Sequence, residues 1–421
     1  MVRLKPGEPR PSATTRRADL PRRRGSARGA VPDASILRAV LDHGPVARSN
    51  IARLTGTSAA SVSGVSGSLL EAGLLREVPE AAGPPGYGRP HVPLDIEVGA
   101  QVVLAVHFAV AKATVAALDL RGRVLSSEEM PYDRPAAHDA VAAAAQRIHL
   151  LRARYGDRRV LGLGAAVGGW VDPERGVVVD NPMLGWREVP LRDLLQAATG
   201  LPTFVENHGR ALLGSERLFG AHAARARESI LHLFVGNLVD ASFALHGGVH
   251  QGRRAASGNL AHLPVDADPG WCDPCSCGRA GCFPAAVSEQ ALIRRAADLG
   301  VRARLVTELT ELARAGDERL VGLFIDRARV VGHAVAYLLD LFNPEVLILT
   351  EAGFLWVPPA REALLAEVAA RSAAHEDAGE VIAPPSAEEF LALAAGTALL
   401  DRVYAAPLAV MGDLRSVAGT T

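Results

Sequence analysis

Four cysteines lie within an eleven-residue segment, and the 421-residue chain has no others. They are Cys272, Cys275, Cys277 and Cys282. Thiolates spaced this closely can reach three corners of a tetrahedron around a metal ion, at about 2.3 Å from it. Four free thiols or a redox pair are the alternatives, but crowded unbound thiols would oxidise. Because such a cluster is not the framework of a secreted disulfide protein, it predicts a metal site in a reducing compartment.

The composition indicates a globular protein of more than one domain. Apolar residues make up 49% and charged residues 22% of the chain, and the net charge is −1. The length exceeds that of one ordinary domain. No apolar region typical of a signal peptide follows the basic N-terminus, and the longest apolar stretch, 101–120, is broken by His107 and Lys112. We therefore expect a cytoplasmic protein that makes no contact with a membrane.

The positive charge is concentrated at the N-terminus. Residues 1–28 contain nine basic residues and two acidic ones, a net charge of +7, in a sequence rich in Pro, Ser, Gly and Arg. This composition predicts a disordered basic arm over residues 1–30. Beside a DNA-binding module, such an arm would add salt-dependent phosphate contacts, whereas a solubilising tail is the alternative.

Residues 31–98 have the apolar pattern of a winged helix-turn-helix. Three helical stripes end at Gly44, Gly56 and Gly73. Ser58 is a good N-cap for the third helix, and Gly56-Thr57-Ser58 is the tight turn that the motif requires. A strand over 74–78 and a return strand over 91–94 predict a wing with a Gly/Pro-rich tip. A generic three-helix bundle with a hairpin is the alternative, because such helix triplets are common.

The third predicted helix carries small residues on its outer face. These residues are Ser58, Ala59, Ala60, Ser61, Ser63 and Ser66. Small hydroxyl residues let a helix approach the major groove and bond phosphates or base edges. At the predicted wing tip, Arg89 is placed to reach a minor groove or phosphates. The pattern predicts a partner of double-stranded DNA.

The remainder of the chain repeats one α/β unit. Residues 101–130 predict a three-strand meander, followed by a helix over 134–155 and a strand over 159–168. Strands at 230–235 and 241–245, three helices between 286 and 342, and a strand at 346–350 repeat that order. The repetition predicts a duplicated fold with a cleft between its halves. We assign residues 99–215 to the first lobe, 216–405 to the second lobe and 406–421 to a tail.

Several segments carry a resemblance to a known family. They are IARLTGTSAASVSGVSGSLLEAGLLRE (51–77), LDLRGRVL (118–125), GLGAAVGGWVDPERGVVVDNPMLGW (162–186), LPTFVENHGRALLGSE (201–216), GNLAHLPVD (258–266), CSCGRAGC (275–282) and NPEVLIL (343–349). The chain resembles the repressor branch of the ROK family, which comprises repressors, open reading frames and sugar kinases. The resemblance implies an α/β protein in which a winged helix-turn-helix precedes a two-lobed actin-like ATPase (RNase H-like) fold.

The resemblance also implies a ligand set for the metal. ROK proteins use the C-x-C-G-x-x-G-C spacing for a structural Zn²⁺, with a histidine as the fourth ligand. The matching residues are His262, Cys275, Cys277 and Cys282. Because Cys272-x-x-Cys275 is itself a chelating pair, a site made of cysteines alone stays open. Four protein ligands leave no open coordination position, so the predicted Zn²⁺ is structural.

The segments that bind and use ATP in ROK kinases are changed in this chain. The phosphate loop D-x-G-G-T-K corresponds to His107 through Lys112, where only the lysine matches. The second glycine-rich loop reads GNLVDAS at 236–242, and the adenosine loop reads TEAG at 350–353. His208 replaces the aspartate that takes the proton of the sugar hydroxyl. Since positioning and charge stabilisation supply nearly all catalysis of phosphoryl transfer, we expect no enzymatic activity.

The sugar site implied by the family is partly kept. The matching positions are Asn207, His208, Asn259 and His262. Loss of the carboxylates that accept two hydrogen bonds from vicinal hydroxyls should weaken binding of an ordinary hexose. We expect a sugar derivative or an anionic metabolite as the effector, and a vestigial cleft without a ligand is the alternative.

Together these observations predict a DNA-binding transcriptional regulator of carbohydrate-related genes, with repression as the expected mode. It would bind an operator as a homodimer or tetramer. The alternatives are an ATP-dependent sugar kinase, a DNA-binding protein without an effector, and a pure interaction protein.

Overall fold

The computed structural model describes residues 32–81, 92–132, 135–265, 271, 273–275, 277–373 and 377–418. The predicted basic arm, the wing tip with Arg89, and Cys272 lie outside these residues.

The described residues form helices and strands in an α/β order. The helices are α1 (Pro32–His43), α2 (Arg48–Thr55), α3 (Ala59–Glu71), α4 (Ala137–Arg154), α5 (Leu191–Thr199), α6 (His208–Phe219), α7 (Ala223–Glu228), α8 (Phe283–Val287), α9 (Glu289–Asp298), α10 (Val306–Arg314), α11 (Glu318–Phe342), α12 (Ala352–Trp356), α13 (Pro358–Arg371), α14 (Phe390–Ala405) and α15 (Pro407–Ala418). The strands are β1 (Leu75–Glu77), β2 (Leu94–Ile96), β3 (Gln101–Phe108), β4 (Lys112–Leu118), β5 (Val124–Pro131), β6 (Arg159–Val167), β7 (Trp170–Asp172), β8 (Val177–Asn181), β9 (Trp186–Val189), β10 (Thr203–Asn207), β11 (Ser229–Val235), β12 (Val239–Leu245), β13 (Gly248–Val249), β14 (Val346–Glu351) and β15 (Ile382–Ala383).

The N-terminal head consists of α1, α2, α3 and the antiparallel pair β1–β2. Gly56 ends α2 in the left-handed conformation, at φ 69°, and the Ser58 side chain accepts a hydrogen bond from the Ser61 backbone N–H at 3.2 Å. The predicted tight turn and N-cap are therefore confirmed. The return strand begins at Leu94 rather than at residue 91, and Val46 extends the ladder by one bridge to Leu94.

The first lobe is built on a five-stranded sheet in the order β10-β6-β3-β4-β5. The predicted meander is confirmed as the antiparallel strands β3, β4 and β5, while β6 and β10 join β3 as parallel strands. Helices α4 and α5 cover one face of this lobe, packing against each other. A smaller antiparallel sheet, β7-β8-β9, follows β6.

The second lobe repeats this topology strand for strand. Its sheet has the order β13-β12-β11-β14-β15, with an antiparallel β11-β12-β13 meander and parallel β14 and β15 on the other side of β11. The sequence-based prediction of a duplicated unit is therefore confirmed by the same order and the same strand directions. In both lobes the first strand lies at the centre of the sheet. The carboxyl ends of these two strands, β3 and β11, border the space between the lobes.

The C-terminal helices leave the second lobe. Helix α14, which the sequence analysis placed in the second lobe, packs across β3 and β6 of the first lobe. Its approach is so close that a Cβ at Gly164 of β6 would lie 2.1 Å from the carbonyl oxygen of Ala395. Residues 407–418, predicted as a tail, form α15, which contacts α1, α3 and α14. These long-range contacts are invisible to local sequence patterns.

The head and the first lobe share one hydrophobic core. Buried side chains of the head, such as Ile36 and Ile51, belong to the same cluster as Leu161 of β6 and Tyr404 of α14. Tyr404 is 2% exposed, and its hydroxyl donates a hydrogen bond to the Leu120 carbonyl at 2.7 Å. The head is therefore packed on the body and is not attached only through a linker.

No single helix among the described residues has the length and apolar composition needed to cross a bilayer. Helices α14 and α15 have this length and composition only when they are counted together, and they are bent by 116° relative to each other.

We predict that Tyr404→Phe destabilises the protein by about 1–3 kcal/mol, because the buried Leu120 carbonyl loses its hydrogen-bond donor. Urea unfolding of both proteins measures this difference. Tyr155→Phe is the matched control, since the half-buried Tyr155 hydroxyl bonds only the Ser126 side chain, and its loss should cost below about 0.5 kcal/mol. Equal losses for the two variants would contradict the assigned role of Tyr404.

Candidate functional site

Three cysteines and one histidine converge on a point beside the second lobe. The ligand atoms of His262, Cys275, Cys277 and Cys282 all lie within 4.8 Å of one another. The Cys277 and Cys282 sulfurs are 3.7 Å apart, and His262 Nδ1 lies 3.6 Å from the Cys275 sulfur. A tetrahedron with ordinary Zn–S and Zn–N bonds has edges of about 3.8 Å between sulfurs and about 3.6 Å between sulfur and nitrogen. The donor set and its spacing therefore fit a closed, four-coordinate metal ion.

Short backbone bridges hold this cluster together. Cys282 pairs with Pro264, and Pro274 pairs with Ala280. The Cys275 N–H donates to the Arg279 carbonyl at 2.8 Å, which closes the turn that carries Cys277. The Arg279 side chain, hydrogen-bonded to Cys277, lowers the pKa of that thiol to about 6, whereas burial raises the pKa of Cys282 to about 11. Binding a metal requires all three thiols to be deprotonated, so metal binding releases protons here.

Helix α3 presents a face of small side chains to solvent. Ser58, Ala59, Ala60 and Ser63 are exposed, and Ser61 is half-buried. Ser66 is fully buried, so its predicted outward position is wrong. The physical reason is helical periodicity: positions 62, 66 and 69 form the stripe that faces the core of the head.

Two glycines on α3 belong to the same outer face and were not singled out from the sequence. At Gly64 and Gly67, no heavy atom lies within 4 Å of the place a Cβ would take. Glycine costs about 1 kcal/mol relative to alanine inside a helix, and no neighbouring atom requires it here. In the sequence, this feature could have been recognised as two glycines within a predicted helix, at positions outside its apolar stripe.

A cavity of about 690 Å³ lies between the two lobes. The β3–β4 turn (109–111) borders it on the first lobe, and the β11–β12 turn (236–238) borders it on the second. Both turns are tight: Ala109 N–H donates to the Lys112 carbonyl at 2.9 Å, and Gly236 N–H donates to the Leu238 carbonyl at 3.0 Å. The positions compared above with nucleotide-binding loops therefore carry short turns with side chains that face this space.

A carboxylate of the protein caps the helix next to this cavity. The Glu351 side chain accepts hydrogen bonds from the Gly353 and Phe354 N–H groups, at 2.9 and 2.6 Å, and so satisfies the N-terminus of α12. Glu351 also pairs with Arg327, which is completely buried and whose pKa burial lowers to about 10. A helix N-terminus can bind phosphate, but here an internal carboxylate takes that place.

Two buried histidines, His107 and His208, line the cavity, and a third, His232, is buried nearby in β11. The rings of His107 and His208 stack with centroids 6.0 Å apart, and His208 Nε2 lies 3.4 Å from an Asp240 carboxylate oxygen. His232 Nε2 lies 3.0 Å from the Thr350 hydroxyl. Burial, reinforced by His208 and Lys112, lowers the pKa of His107 to about 3, and burial near His208 lowers the pKa of His232 to about 3.

The structure gives the four predicted effector residues different contacts. Among them, His208 lines the interlobe cavity. Asn207 is the N-cap of α6: its Oδ1 accepts from Arg210 N–H at 3.1 Å, and its Nδ2 donates to the Gly169 carbonyl at 2.8 Å. Asn259 is exposed and closes a turn by accepting from Ala261 N–H at 2.9 Å, and His262 belongs to the metal cluster. Their joint role in effector binding stays a prediction.

The sequence pattern of the ROK family matches residues 103–398. The chain belongs to the ROK family. Among its relatives is the Transcriptional regulator Rv0485 of Mycobacterium tuberculosis, 34% identical over 397 residues, an alignment that covers 90% of this chain and 87% of that protein. A putative xylose repressor of Caldicellulosiruptor is 24% identical over 76% of this chain and 83% of its own length.

A solved structure shares the architecture of most of the chain. It is the ROK family transcriptional regulator described as a homolog of E. coli MLC protein, with a TM-score of 0.74, 22% identity and coverage of 91% of this chain and 97% of that one. At this identity the likeness shows the fold alone. It confirms the predicted fold class of the body, a two-lobed α/β fold of actin-like type, and is consistent with a helix-turn-helix head.

We predict that this ROK protein becomes less stable as the pH is lowered below about 6.5, and that His107 contributes to this loss. Its ring is protonated near pH 6.5 in the unfolded chain but only near pH 3 in the folded protein, so the unfolded state binds more protons between these values. Over that range, the free energy of unfolding of the His107→Leu variant should rise relative to that of the parent protein. The gain should be about 1.4 kcal/mol for each unit by which the pH is lowered.

Urea unfolding at several pH values between about 4 and 7 measures this gain. His138→Leu, which removes an exposed histidine on α4, controls for loss of a histidine outside the core. A difference between parent and His107→Leu that is constant with pH would show that this histidine is not buried in its neutral form.

Proposed function

We propose that this ROK protein is a DNA-binding transcriptional regulator, with repression as its expected mode. The observation that carries the proposal is the outer face of α3, where exposed small side chains coincide with two unpacked glycines on a head fixed to a ROK body. The relatives named transcriptional regulator and xylose repressor, which align with most of the chain, support the same conclusion. The relative named xylose repressor also supports carbohydrate-related target genes, and we propose a cytoplasmic location.

The small number of basic residues in the head indicates a role for the basic N-terminal arm. Residues 31–98 contain five arginines, no lysine and seven acidic residues. Arg48, which lies next to the wing strands, pairs with Glu77 at 2.9 Å. A head with this balance gains little affinity from phosphate contacts, whereas the arm over residues 1–28 has a net charge of +7. We infer that the arm and Arg89 supply most of the electrostatic attraction to the operator, and that α3 reads the major groove.

Two contacts give a route from the body to the head. On the first lobe, Arg121 pairs with Asp95 of β2 and donates to the Leu41 carbonyl of α1 at 3.1 Å. On the second lobe, Arg227 of α7 makes a bidentate ion pair with Asp42 of α1, at 2.6 and 2.8 Å. Because α1 is held from both lobes, a change in the angle between the lobes would move the head. An effector that prefers one lobe arrangement would thereby change operator affinity.

Sugar phosphorylation is the second candidate function, and the cavity does not favour it. The positions of the phosphate loops carry tight turns, and the Glu351 carboxylate takes the N–H groups at the start of α12 beside the cavity. We infer that the chain does not transfer phosphate from ATP. Robust ATP turnover with glucose or an N-acetyl sugar in a coupled assay would overturn this inference.

We also propose that the cluster of His262, Cys275, Cys277 and Cys282 binds a structural Zn²⁺. The donor set leaves no open coordination position, so the ion would fix the loop between β13 and α8 and take no part in chemistry.

The protein would bind a pseudo-palindromic operator as a homodimer or tetramer, because paired heads match paired half-sites.

We predict that Gly64→Ala and Gly67→Ala change stability and DNA binding in opposite directions. A methyl group at either position meets no protein atom and favours the helix, so each variant should gain about 1 kcal/mol of stability. If α3 lies against DNA, the same methyl groups should weaken operator binding at least about tenfold. Thermal unfolding and fluorescence anisotropy with an operator fragment measure the two effects.

Gly412→Ala is the matched control, because a Cβ at this helical glycine of α15 also meets no atom within 4 Å. It should gain stability without loss of DNA affinity. Unchanged operator affinity in both α3 variants would show that this face does not contact DNA. The operator fragment comes from genome-wide mapping of the sites that the protein occupies.

We predict that deletion of residues 2–28 weakens operator binding and flattens its dependence on salt. Each lost phosphate contact should reduce the slope of log K against log salt by about 0.9. Anisotropy titrations at several salt concentrations measure the slope, and the free energy of unfolding should stay unchanged. An unaltered slope would assign the arm to solubility alone.

We predict that the purified protein contains about one zinc per chain and that Cys277→Ser loses it, with lower thermal stability. Metal analysis by mass spectrometry and thermal unfolding measure the two quantities. Cys272→Ser separates the two ligand sets: retention of zinc supports His262 as the fourth ligand, whereas loss of zinc supports the site of cysteines alone.

A further inference from the structure

The interlobe cavity has walls that suit an apolar molecule. Val110 of the first lobe lines this space, as do Leu238 and Leu355 of the second lobe and Phe390 of α14. Trp356, which is 51% exposed, also lines it and keeps much of its ring accessible to solvent. The volume of about 690 Å³ lies within the range of small-molecule sites in proteins.

The charges around the cavity disfavour a polyanion such as a nucleotide. The lining contains one lysine, Lys112, and five glutamates, namely Glu129, Glu289, Glu351, Glu388 and Glu389. Lys112 is paired with Glu129, so its charge is already compensated. Burial also raises the pKa of Glu289, which accepts a hydrogen bond from Asn237 at 2.8 Å. A ligand with several negative charges would therefore find no uncompensated lysine or arginine among the described lining residues.

One buried polar group in this lining lacks a partner. His107 is 2% exposed, and neither of its ring nitrogens has a hydrogen-bond partner among the described residues. Because an unpaired buried polar group destabilises a folded protein, the ring of His107 is a reason to look for a missing partner. Because burial lowers the pKa of His107 to about 3, the ring is neutral at physiological pH and offers one N–H donor and one nitrogen acceptor.

We propose that the interlobe cavity binds an uncharged organic molecule whose apolar body lies between Val110 and Leu238 and whose hydroxyl, carbonyl or amide group hydrogen-bonds His107. The cavity overlaps the predicted sugar site at His208, whereas Asn207 and Asn259 do not line it. The molecule would bridge the two lobes, since Val110 belongs to the first and Leu238 to the second. The proposal concerns ligand binding and stands whether or not the chain binds DNA.

Titration of the full-length protein with Nile red tests the proposal. This dye is uncharged and largely apolar, carries a carbonyl group, and fluoresces strongly only in an apolar environment. We expect saturable binding with one site per chain. Val110→Trp and Thr307→Trp, which place an indole at lining positions of the two lobes, should weaken binding at least about tenfold. Leu150→Trp, on the exposed face of α4, is the matched control and should leave binding unchanged.

His107→Leu tests the polar contact. Loss of one hydrogen bond should weaken dye binding about threefold to tenfold while the variant stays folded by circular dichroism. Millimolar MgATP should not displace the dye, because the acidic lining disfavours triphosphate.

Equal dye affinity in the parent and both cavity tryptophan variants would place the dye on the outer surface and overturn the proposal. Absence of saturable binding would overturn it as well. Displacement by MgATP would overturn the assignment of the cavity to uncharged ligands, and unchanged affinity in His107→Leu would overturn the assignment of His107 as the polar partner.

Discussion

The shared hydrophobic core between the head and the first lobe is the constraint on which the rest of the structure depends. The interior of the head continues into the cluster around Tyr404, so α1 and β2 lie on the body as closely as helices within one domain. Arg121 and Arg227 then attach α1 to both lobes with charged contacts. Packed cores do not deform continuously. A change in the angle between the lobes would therefore reach α3 as a shift of the whole head.

The duplicated sheets explain where ligand-binding features can arise. Each lobe places its central strand so that its carboxyl end and the following turn border the interlobe space. In this chain both turns are short, and Glu351 pairs with Arg327 beside α12. The cavity between the lobes has apolar and acidic side chains in its lining, with the buried His107 among them. The fold therefore fixes the location of the cleft, while individual side chains set its chemistry.

The metal cluster shows how a local motif and a distant residue combine. Cys275, Cys277 and Cys282 lie in one loop, and their spacing alone predicts a metal-binding knuckle. His262 reaches the same point because Pro264 pairs with Cys282 in a short bridge. That pairing positions the imidazole 3.6 Å from the Cys275 sulfur, a distance that no sequence spacing specifies.

The sequence by itself determined the elements whose cause is local. Apolar periodicity and glycine stops placed α1, α2 and α3, the alternating strands placed both meanders, and the cysteine spacing indicated the metal cluster. Only the tertiary structure decided which contacts join distant segments. It moved α14 onto the first lobe and turned residues 407–418 into a helix that supports the head. It also brought His107 and His208 together at the cavity while directing Asn207 to cap α6. Local patterns encode helix and strand, but burial and partner choice depend on packing between residues hundreds of positions apart.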